Sequence, residues 1–598
     1  MAQRSRVQPP SVLRDAGSGE AACYRARARR LGLAFASHVD LGPGALTSLS
    51  AIAEGKVAKS AAGELIIAPD EDAMPDVLGW LNAYGRTARR RIAVSTPTAI
   101  RAALREAGAA GYLAEALARV EAVDPACSAR RIVTPRQRTA GILLFAALLA
   151  AAILVPLWAL ALVELGAAVF FASVAAVRFL AAALVHRRMP GGSAAVADTT
   201  LPVYTVLVPL RDEAHMLRQI VAGLDRLAWP RERLDIKLVI DSDDTATLAA
   251  ARLAAPERPY EVVVVPPGGP RTKPTALQYA LSFARGAFVT VYDAEDRPHP
   301  GQLAGAYARF AAAPERLACL QAPLVIDNDG DSRIAALFAI EYATLFDGLL
   351  PALDRLDLPL PLGGTSNHFR RDALERVGGW DPWNVTEDAD LGIRLTRFGY
   401  GIGTITLPTF EEAPAAIRPW LRQRTRWLKG WLQTWLVHMR HPIRLWRALG
   451  TRRMAAFNAL GLGMLVSAIA HPVFLATPLL LLLDPGRLWG DGNLVVAALA
   501  GLSIFNLAAG YAAMWTLAER TLALRGRQRL SRLLVLLPLY WLLMAAACGL
   551  AVAELVRRPH HWNKTPHSGR ASTPTDPALP GVGDGAEAGE VRLRARRA

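Results

Sequence analysis

The sequence predicts an α/β domain held between pairs of membrane-spanning helices and preceded by a small α/β module. Three observations predict it. Apolar residues make up 52% of the 598 residues, but the long Ala/Leu/Val runs are confined to about 140–185 and about 454–556. The stretch between them returns to soluble composition, with apolar β-runs alternating with helical patterns, which implies a mainly parallel sheet with helices on both faces. Lys plus Arg exceed Asp plus Glu by 16, and much of that excess flanks the apolar runs at Arg130, Arg131, Arg136, Arg138, Arg187, Arg188, Arg452 and Arg453. Basic flanks of this kind mark the cytoplasmic ends of spanning helices, so the positive charge speaks for a membrane and against nucleic acid.

In chain order, residues 1–20 are polar, rich in Arg, Pro and Gly, and expected to be disordered. Residues 21–125 form the small module, with strands at Glu64–Ala68 and Ile92–Val94 and helices at Thr98–Glu106 and Gly111–Val120. A spanning hairpin follows over 139–185, as Thr139–Val163 and Leu165–Val185 with the turn at Glu164; each arm is long enough to cross a bilayer core. The 198–415 domain carries strands at Tyr204–Pro209, Ile236–Ile240, Glu261–Val265, Phe288–Tyr292 and Leu317–Ala322. The Trp-rich basic stretch 416–447 reads as amphipathic helix in the membrane interface. A second hairpin covers 454–518, an apolar helix at 533–556 either crosses or lies in the interface, and 557–598 is a basic tail on the cytoplasmic side. The four cysteines, Cys23, Cys127, Cys319 and Cys548, are widely spaced, which fits a reducing compartment rather than a disulfide framework or a zinc site. The N-terminus has no apolar core and is no secretory signal.

The chemistry lies at the ends of the β-runs, where open α/β sheets bind ligands. The first run is followed by Arg211-Asp212-Glu213, the second by Asp241, Asp243 and Asp244, and the fourth by Asp293, Glu295 and Asp296. Carboxylates from three strand ends suit a hard divalent cation and a charged ligand. Further on, Thr386-Glu387-Asp388 opens a helix, where Thr386 could simply cap and the acids simply favour the dipole. Some 35 residues later comes Gln423-Arg424-Thr425-Arg426-Trp427.

In this order, between membrane hairpins, these motifs resemble the family-2 glycosyltransferases, above all the processive branch of cellulose, chitin and hyaluronan synthases. The resemblance implies a GT-A-type nucleotide-sugar-binding fold. It implies that Asp241 or Asp243 faces the nucleoside, that Lys273 lies near the nucleotide, and that Asp293 and Glu295 hold Mg²⁺ or Mn²⁺ and the diphosphate. Asp388 would be the general base. Gln423 and Arg426 would hold the diphosphate, and Trp427 the acceptor sugar, with Glu387 and the loop Gly364-Thr365 beside donor and acceptor. Glu295 stands where the family has a second Asp, and the IDSDD around Asp241 departs from the common DDG. The basic segment after 533–556, Arg558 to Thr565, resembles the position of a synthase gating loop. Residues 21–125 resemble the N-terminal domain of type II secretion ATPases, some of which bind cyclic di-GMP, and Arg30-Leu31-Gly32 matches part of that pattern.

The implied activity is inverting transfer of a hexose from a nucleotide sugar, a UDP-sugar in the first instance, to a growing β-linked polysaccharide. The alternative is addition of a single sugar to a lipid carrier. Either places a multi-pass protein in a bacterial-type inner membrane, among its lipids, with the catalytic domain cytoplasmic. A transport or receptor protein with an inactive enzyme domain is disfavoured by the intact Asp293, Asp388 and Arg426.

Overall fold

The computed structural model describes residues 19–41, 52, 54–185, 201–254, 259–483 and 494–561. The expected disordered start, most of the basic tail and the Trp562–Thr565 part of the gating-loop resemblance lie outside the described residues.

The N-terminal module packs helices on a sheet of β1 (Ala34–Phe35), β2 (Val57–Lys59), β3 (Leu65–Ile67) and β4 (Ile92–Val94), in the order β1-β4-β3-β2. Its last helix differs from expectation. Instead of two short helices, Pro97–Val123 is continuous. The Ala-rich run around Gly111 supplies enough helix propensity to carry the chain through. The helix starts where Thr96 accepts a hydrogen bond from the Ala99 amide at 3.0 Å, with Pro97 in the first turn.

The first apolar pair is Pro135–Leu154 and Pro156–Leu184. The break falls at Val155, not at Glu164, because Pro156 cannot donate into the preceding turn. Glu164 stays helical and accepts a hydrogen bond from Ser503. Both ends of the pair meet the same body. The Gln137 side chain donates to the Leu436 carbonyl at 2.7 Å, and Arg355 donates to the Leu184 carbonyl at 2.9 Å.

The central sheet has seven strands: β5 (Tyr204–Leu210), β6 (Leu234–Asp241), β7 (Tyr260–Val265), β8 (Phe288–Val291), β10 (Leu317–Gln321), β12 (Asn367–Arg370) and β13 (Gly401–Thr404). Their order is β13-β10-β12-β8-β5-β6-β7. The sheet is mainly parallel, as expected, except that β12 enters antiparallel between β8 and β10. A second sheet of β9 (Arg297–Pro298), β11 (Leu324–Ile326) and β14 (Thr409–Glu411) crosses the mouth of the first and delivers Glu411.

Beyond the sheet lie the helices Ile417–His438, Pro442–Leu460, Leu462–Leu483, Leu494–Leu524 and Leu537–Arg557. Among the described residues, six helical stretches are long and apolar enough to cross a membrane, one of which, Arg333–Arg355, is mostly buried against the rest of the protein. The Trp-rich helix Ile417–His438 is less of a surface element than its composition suggests. Trp420 is fully buried, with its indole N–H 3.2 Å from the Tyr540 hydroxyl, and Arg424 is buried on the same face. What makes an inward arginine tolerable is Glu341, whose carboxylate accepts from Arg424 at 2.7 Å and from Tyr540 at 2.7 Å.

Candidate active site

The carboxyl ends of β5, β6 and β8 open into a cavity of about 400 Å³. Asp241, Lys273, Asp293, Glu295, Gly364, Thr365, Glu387, Asp388, Gln423, Arg426 and Trp427 all line it. Three segments far apart in sequence (the strand ends, the start of the Glu387–Arg397 helix and the Ile417–His438 helix) therefore share one chamber. Asp243 stands apart, in an adjoining hollow of about 220 Å³ that it shares with Asp241 and the 265–271 loop. Arg271 pairs with Asp243 at 2.8 Å, and Arg211 bridges Asp241 and Asp243. These charges fix the two aspartates at one end of the chamber.

Lys273 is the hinge of the site. It opens the helix Lys273–Leu281, capped by Thr272, and its ammonium reaches Asp293 Oδ1 at 2.5 Å and the Gly364 carbonyl at 2.6 Å. Burial works against its charge, but Asp293 and Glu387 hold the ammonium above its usual range. Gly364 sits between Lys273 and Asp388, since a Cβ there would lie 3.6 Å from both Lys273 Nζ and Asp388 Oδ2.

Asp293 is fixed by its neighbour. The Asp293 amide donates to Asp296 at 2.7 Å, and Thr365 donates to the same carboxylate. Burial, then the charges of Asp293 and Glu213, push the Glu295 carboxyl up to about 8. Glu411 is also raised well above its usual range, by burial and by Asp296, Glu295 and Asp293. Such a crowd of buried acids is one a divalent cation would relieve. Among the described residues no three acidic, His or Cys groups form a ready-made metal cage. Mg²⁺ or Mn²⁺ takes one or two carboxylates and completes its shell with phosphate oxygens and water. The all-oxygen donor set at Asp293 and Glu295 suits such an ion.

Opposite, burial lifts Asp388 above the ordinary carboxylate range and, with Asp388 beside it, takes Glu387 up to about 8. Thr386 does not cap this helix. Its hydroxyl is buried with no hydrogen-bond partner, and its amide donates to Asn384 at 3.0 Å. The turn is held instead by the neighbouring helix, where Gln433 accepts from the Val385 amide at 3.2 Å and donates to the Trp383 carbonyl at 3.0 Å. The segment does start a helix, with Glu387, Asp388 and Asp390 in its first turn, but Gln433 rather than a Thr386 cap holds the turn where Asp388 lines the chamber.

Arg426 faces Glu387, Asp388 and Asp293, which support its charge against burial. Trp427 lies nearly parallel to Tyr342 at 6.4 Å between ring centroids, and the Arg424 guanidinium covers it at 4.6 Å. The Gln423 carbonyl oxygen is buried with no hydrogen-bond partner among the described residues.

Residues 288–553 match the family model described as "Glycosyl transferase family group 2". This segment is a family 2 glycosyltransferase domain. A probable glycosyltransferase of Bacillus subtilis is 27% identical over 234 residues, 38% of this chain and 55% of its own length. The beta-monoglucosyldiacylglycerol synthase of a Synechocystis species is 29% identical over 250 residues, 40% of this chain and 50% of its own. The cellulose synthase catalytic subunit of Komagataeibacter sucrofermentans is 24% identical over 313 residues, 51% of this chain and 40% of its own. The chain thus spans about half the length of the curated relatives it matches.

The chamber also holds residues that sequence reasoning passed over. Glu411 arrives on a three-residue strand, too short to announce itself. Glu341 and Tyr342 sit in an apolar helix that reads as core, and Arg178 and His471 sit in apolar helices that read as spans. Their one visible signal was a charge or ring nitrogen inside an apolar run.

Proposed function

We propose that this protein is an inverting membrane glycosyltransferase that moves a hexose from a nucleotide sugar, a UDP-sugar in the first instance, onto a growing β-linked polysaccharide. The observation that carries the reading is the shared chamber: Asp293, Lys273, Asp388, Arg426 and Trp427 line one space. The nucleoside lies toward Asp241 and Asp243, with the diphosphate between Lys273 and Arg426. Asp293 and Glu295 would hold Mg²⁺ or Mn²⁺, which supplies positive charge to the leaving diphosphate.

The acceptor sugar stacks on Trp427, with Glu387 and the Gly364-Thr365 loop shaping the space beside it. Its hydroxyl oxygen attacks the anomeric carbon as the bond from that carbon to the diphosphate breaks. The hydroxyl proton passes to Asp388, and the electron pair leaves with the nucleotide, whose charge Lys273 and Arg426 balance. A carboxylate lifted by burial is a better proton acceptor than one in water, provided it is ionised when the acceptor binds. Direct displacement by the acceptor hydroxyl, with Asp388 acting as its base, gives inversion.

A second acceptor class has its own support. The chamber continues between the membrane helices, lined by Phe171, Val174, Met464 and Met544, and this apolar extension suits a lipid-borne acceptor. The six apolar helices, the basic flanks and the return of both ends of the first helix pair to one body support a multi-pass protein with its catalytic domain at the cytoplasmic face. Cyclic di-GMP at the N-terminal module would have to displace Glu71 from Arg30, which it pairs at 3.2 Å.

The test is a membrane-preparation assay with radiolabelled UDP- and GDP-sugars and Mg²⁺ or Mn²⁺. Wild-type membranes should incorporate label from one donor, and Asp388→Asn should lose about 10²–10⁴-fold in turnover while UDP still binds. Undiminished turnover in that variant would remove Asp388 as the base.

A further inference from the structure

The chamber has a far end that the transfer chemistry leaves unexplained. Between the membrane helices its wall carries Arg178 from Pro156–Leu184, Ser467 and His471 from Leu462–Leu483, and Trp541 from Leu537–Arg557. The Arg178 guanidinium lies 5.4 Å from the centre of the Trp541 ring. That ring is stacked on Tyr511 at 5.1 Å and meets His471 edge-on at 5.4 Å. Four helices thus build one cluster.

Arg178 is partly buried among apolar helices, where a guanidinium favours an anion beside it. Among the described residues no carboxylate forms an ion pair with Arg178. The acid that acts on it, Glu341, is already engaged by Arg424 and Tyr540. Two further donors are unspent. His471 is 1% exposed, its Nε2 meets the Tyr511 hydroxyl at 2.8 Å, and its Nδ1 has no hydrogen-bond partner among the described residues. Ser467, one helical turn earlier on the same face, has a buried hydroxyl in the same condition. One cation and two neutral donors, walled by Phe171, Met464 and Met544, suit a phosphoryl group attached to an apolar chain. A neutral glycan would leave the guanidinium without a counter-charge.

We propose that Arg178, with Ser467 and His471, holds the phosphoryl group of a lipid-linked saccharide whose outermost sugar lies at Trp427 and Asp388. The inference deepens the reading of that chamber as an acceptor site and rests on it. The lipid enters between the membrane helices, the phosphoryl group stops at Arg178, and the sugar points to the donor.

The test uses the full chain in a neutral detergent, with dodecyl phosphate as probe, dodecanol and inorganic phosphate as controls, and UDP binding measured on the same samples. Wild type should bind dodecyl phosphate, Arg178→Gln should bind it about tenfold more weakly or worse, and Arg178→Lys should keep most of the affinity, because charge is what counts. Dodecyl phosphate binding equally well to Arg178→Gln would overturn the proposal. So would dodecanol binding as tightly as dodecyl phosphate, or inorganic phosphate competing as well as the alkyl phosphate, since each assigns the site to a chain or a free anion. UDP binding by Arg178→Gln reports that the variant is folded. If wild type binds dodecyl phosphate through Arg178 but does not bind UDP, the donor reading fails while the phosphoryl subsite stands.

Discussion

Gly430 shows how closely two segments that line the chamber approach. A Cβ at this position would lie 2.2 Å from the Thr386 hydroxyl oxygen, 2.4 Å from its methyl and 2.7 Å from its Cβ. Gly430→Ala gains up to about 1 kcal/mol of helix propensity, but overpacking against Thr386 costs about 1–3 kcal/mol and pushes the Glu387–Asp388 turn away from Trp427. The expected outcome is a lower unfolding temperature in detergent and a fall in turnover of up to roughly hundredfold, with a smaller change in donor KM. Adding Thr386→Ala should restore part of both, because the Thr386 hydroxyl makes no hydrogen bond that would be lost. Unchanged turnover in Gly430→Ala would mean that the turn does not depend on this contact. At this scale the sequence was informative about identity and silent about contact. The carboxylates, Lys273 and the Gln-x-x-Arg-Trp stretch were legible because their chemistry is rare in that order, whereas the fit of Gly430 against Thr386 depends on a helix crossing that no local pattern encodes.

Among the elements, Pro97–Val123 joins the N-terminal module to the glycosyltransferase domain through buried charge. Arg101 lies 3.4 Å from Glu261 on β7, Arg105 contacts the same oxygen, and Lys237 on β6 joins Glu261 to Asp235. Leu113 and Leu117 of the helix pack under Gly268 and Gly269, in the loop that lines the hollow beside Asp243. The module therefore backs the end of the chamber proposed to take the nucleoside. Glu261→Gln removes the negative charge that Arg101, Arg105 and Lys237 share and should cost about 3–5 kcal/mol at this junction, read as faster amide exchange over 97–123 and a raised donor KM. Burial works to raise the Glu261 carboxyl, but Arg105, Lys237 and Arg101 overcome it and hold it well below its usual range. Because the folded value is depressed, its stabilisation is present above the unfolded value of about 4.3 and lost as pH falls through the folded one. Protection of the 97–123 amides, corrected for the intrinsic pH dependence of exchange, should stay high at neutral pH and fall below about pH 4, with Glu261→Gln flattening that dependence. The strands of the parallel half were legible because both faces are buried and their sequences are continuous apolar runs. β12, NHFR, was not. It is four residues long and polar, and it is a strand only because β8 and β10 leave a slot for it. The break at Val155 was misplaced for the converse reason, since the charge at Glu164 looked like a turn while Pro156 ended the helix.

For the whole molecule, orientation in the membrane is the property on which the function depends, because nucleotide sugars are cytoplasmic. The module and the catalytic domain stand or fall together. Arg397 pairs with Asp124 at 3.1 Å, Arg440 donates to the Ser128 carbonyl at 2.9 Å, and Arg119 donates to Ser282 at 2.7 Å. A label on the module therefore reports the side on which the chamber opens. Cys23 offers one, since it is partly exposed on the first helix whereas Cys127, Cys319 and Cys548 are buried. On the proposed topology, the basic flanks at Arg130, Arg131, Arg136, Arg138, Arg452 and Arg453 lie on the cytoplasmic side. A membrane-impermeant maleimide should label the native protein in inside-out vesicles and not in right-side-out vesicles, and Cys23→Ser should abolish the signal. Labelling from the right-side-out face would invert the topology and separate the chamber from any cytoplasmic donor, whatever the chemistry of Asp388 and Arg426.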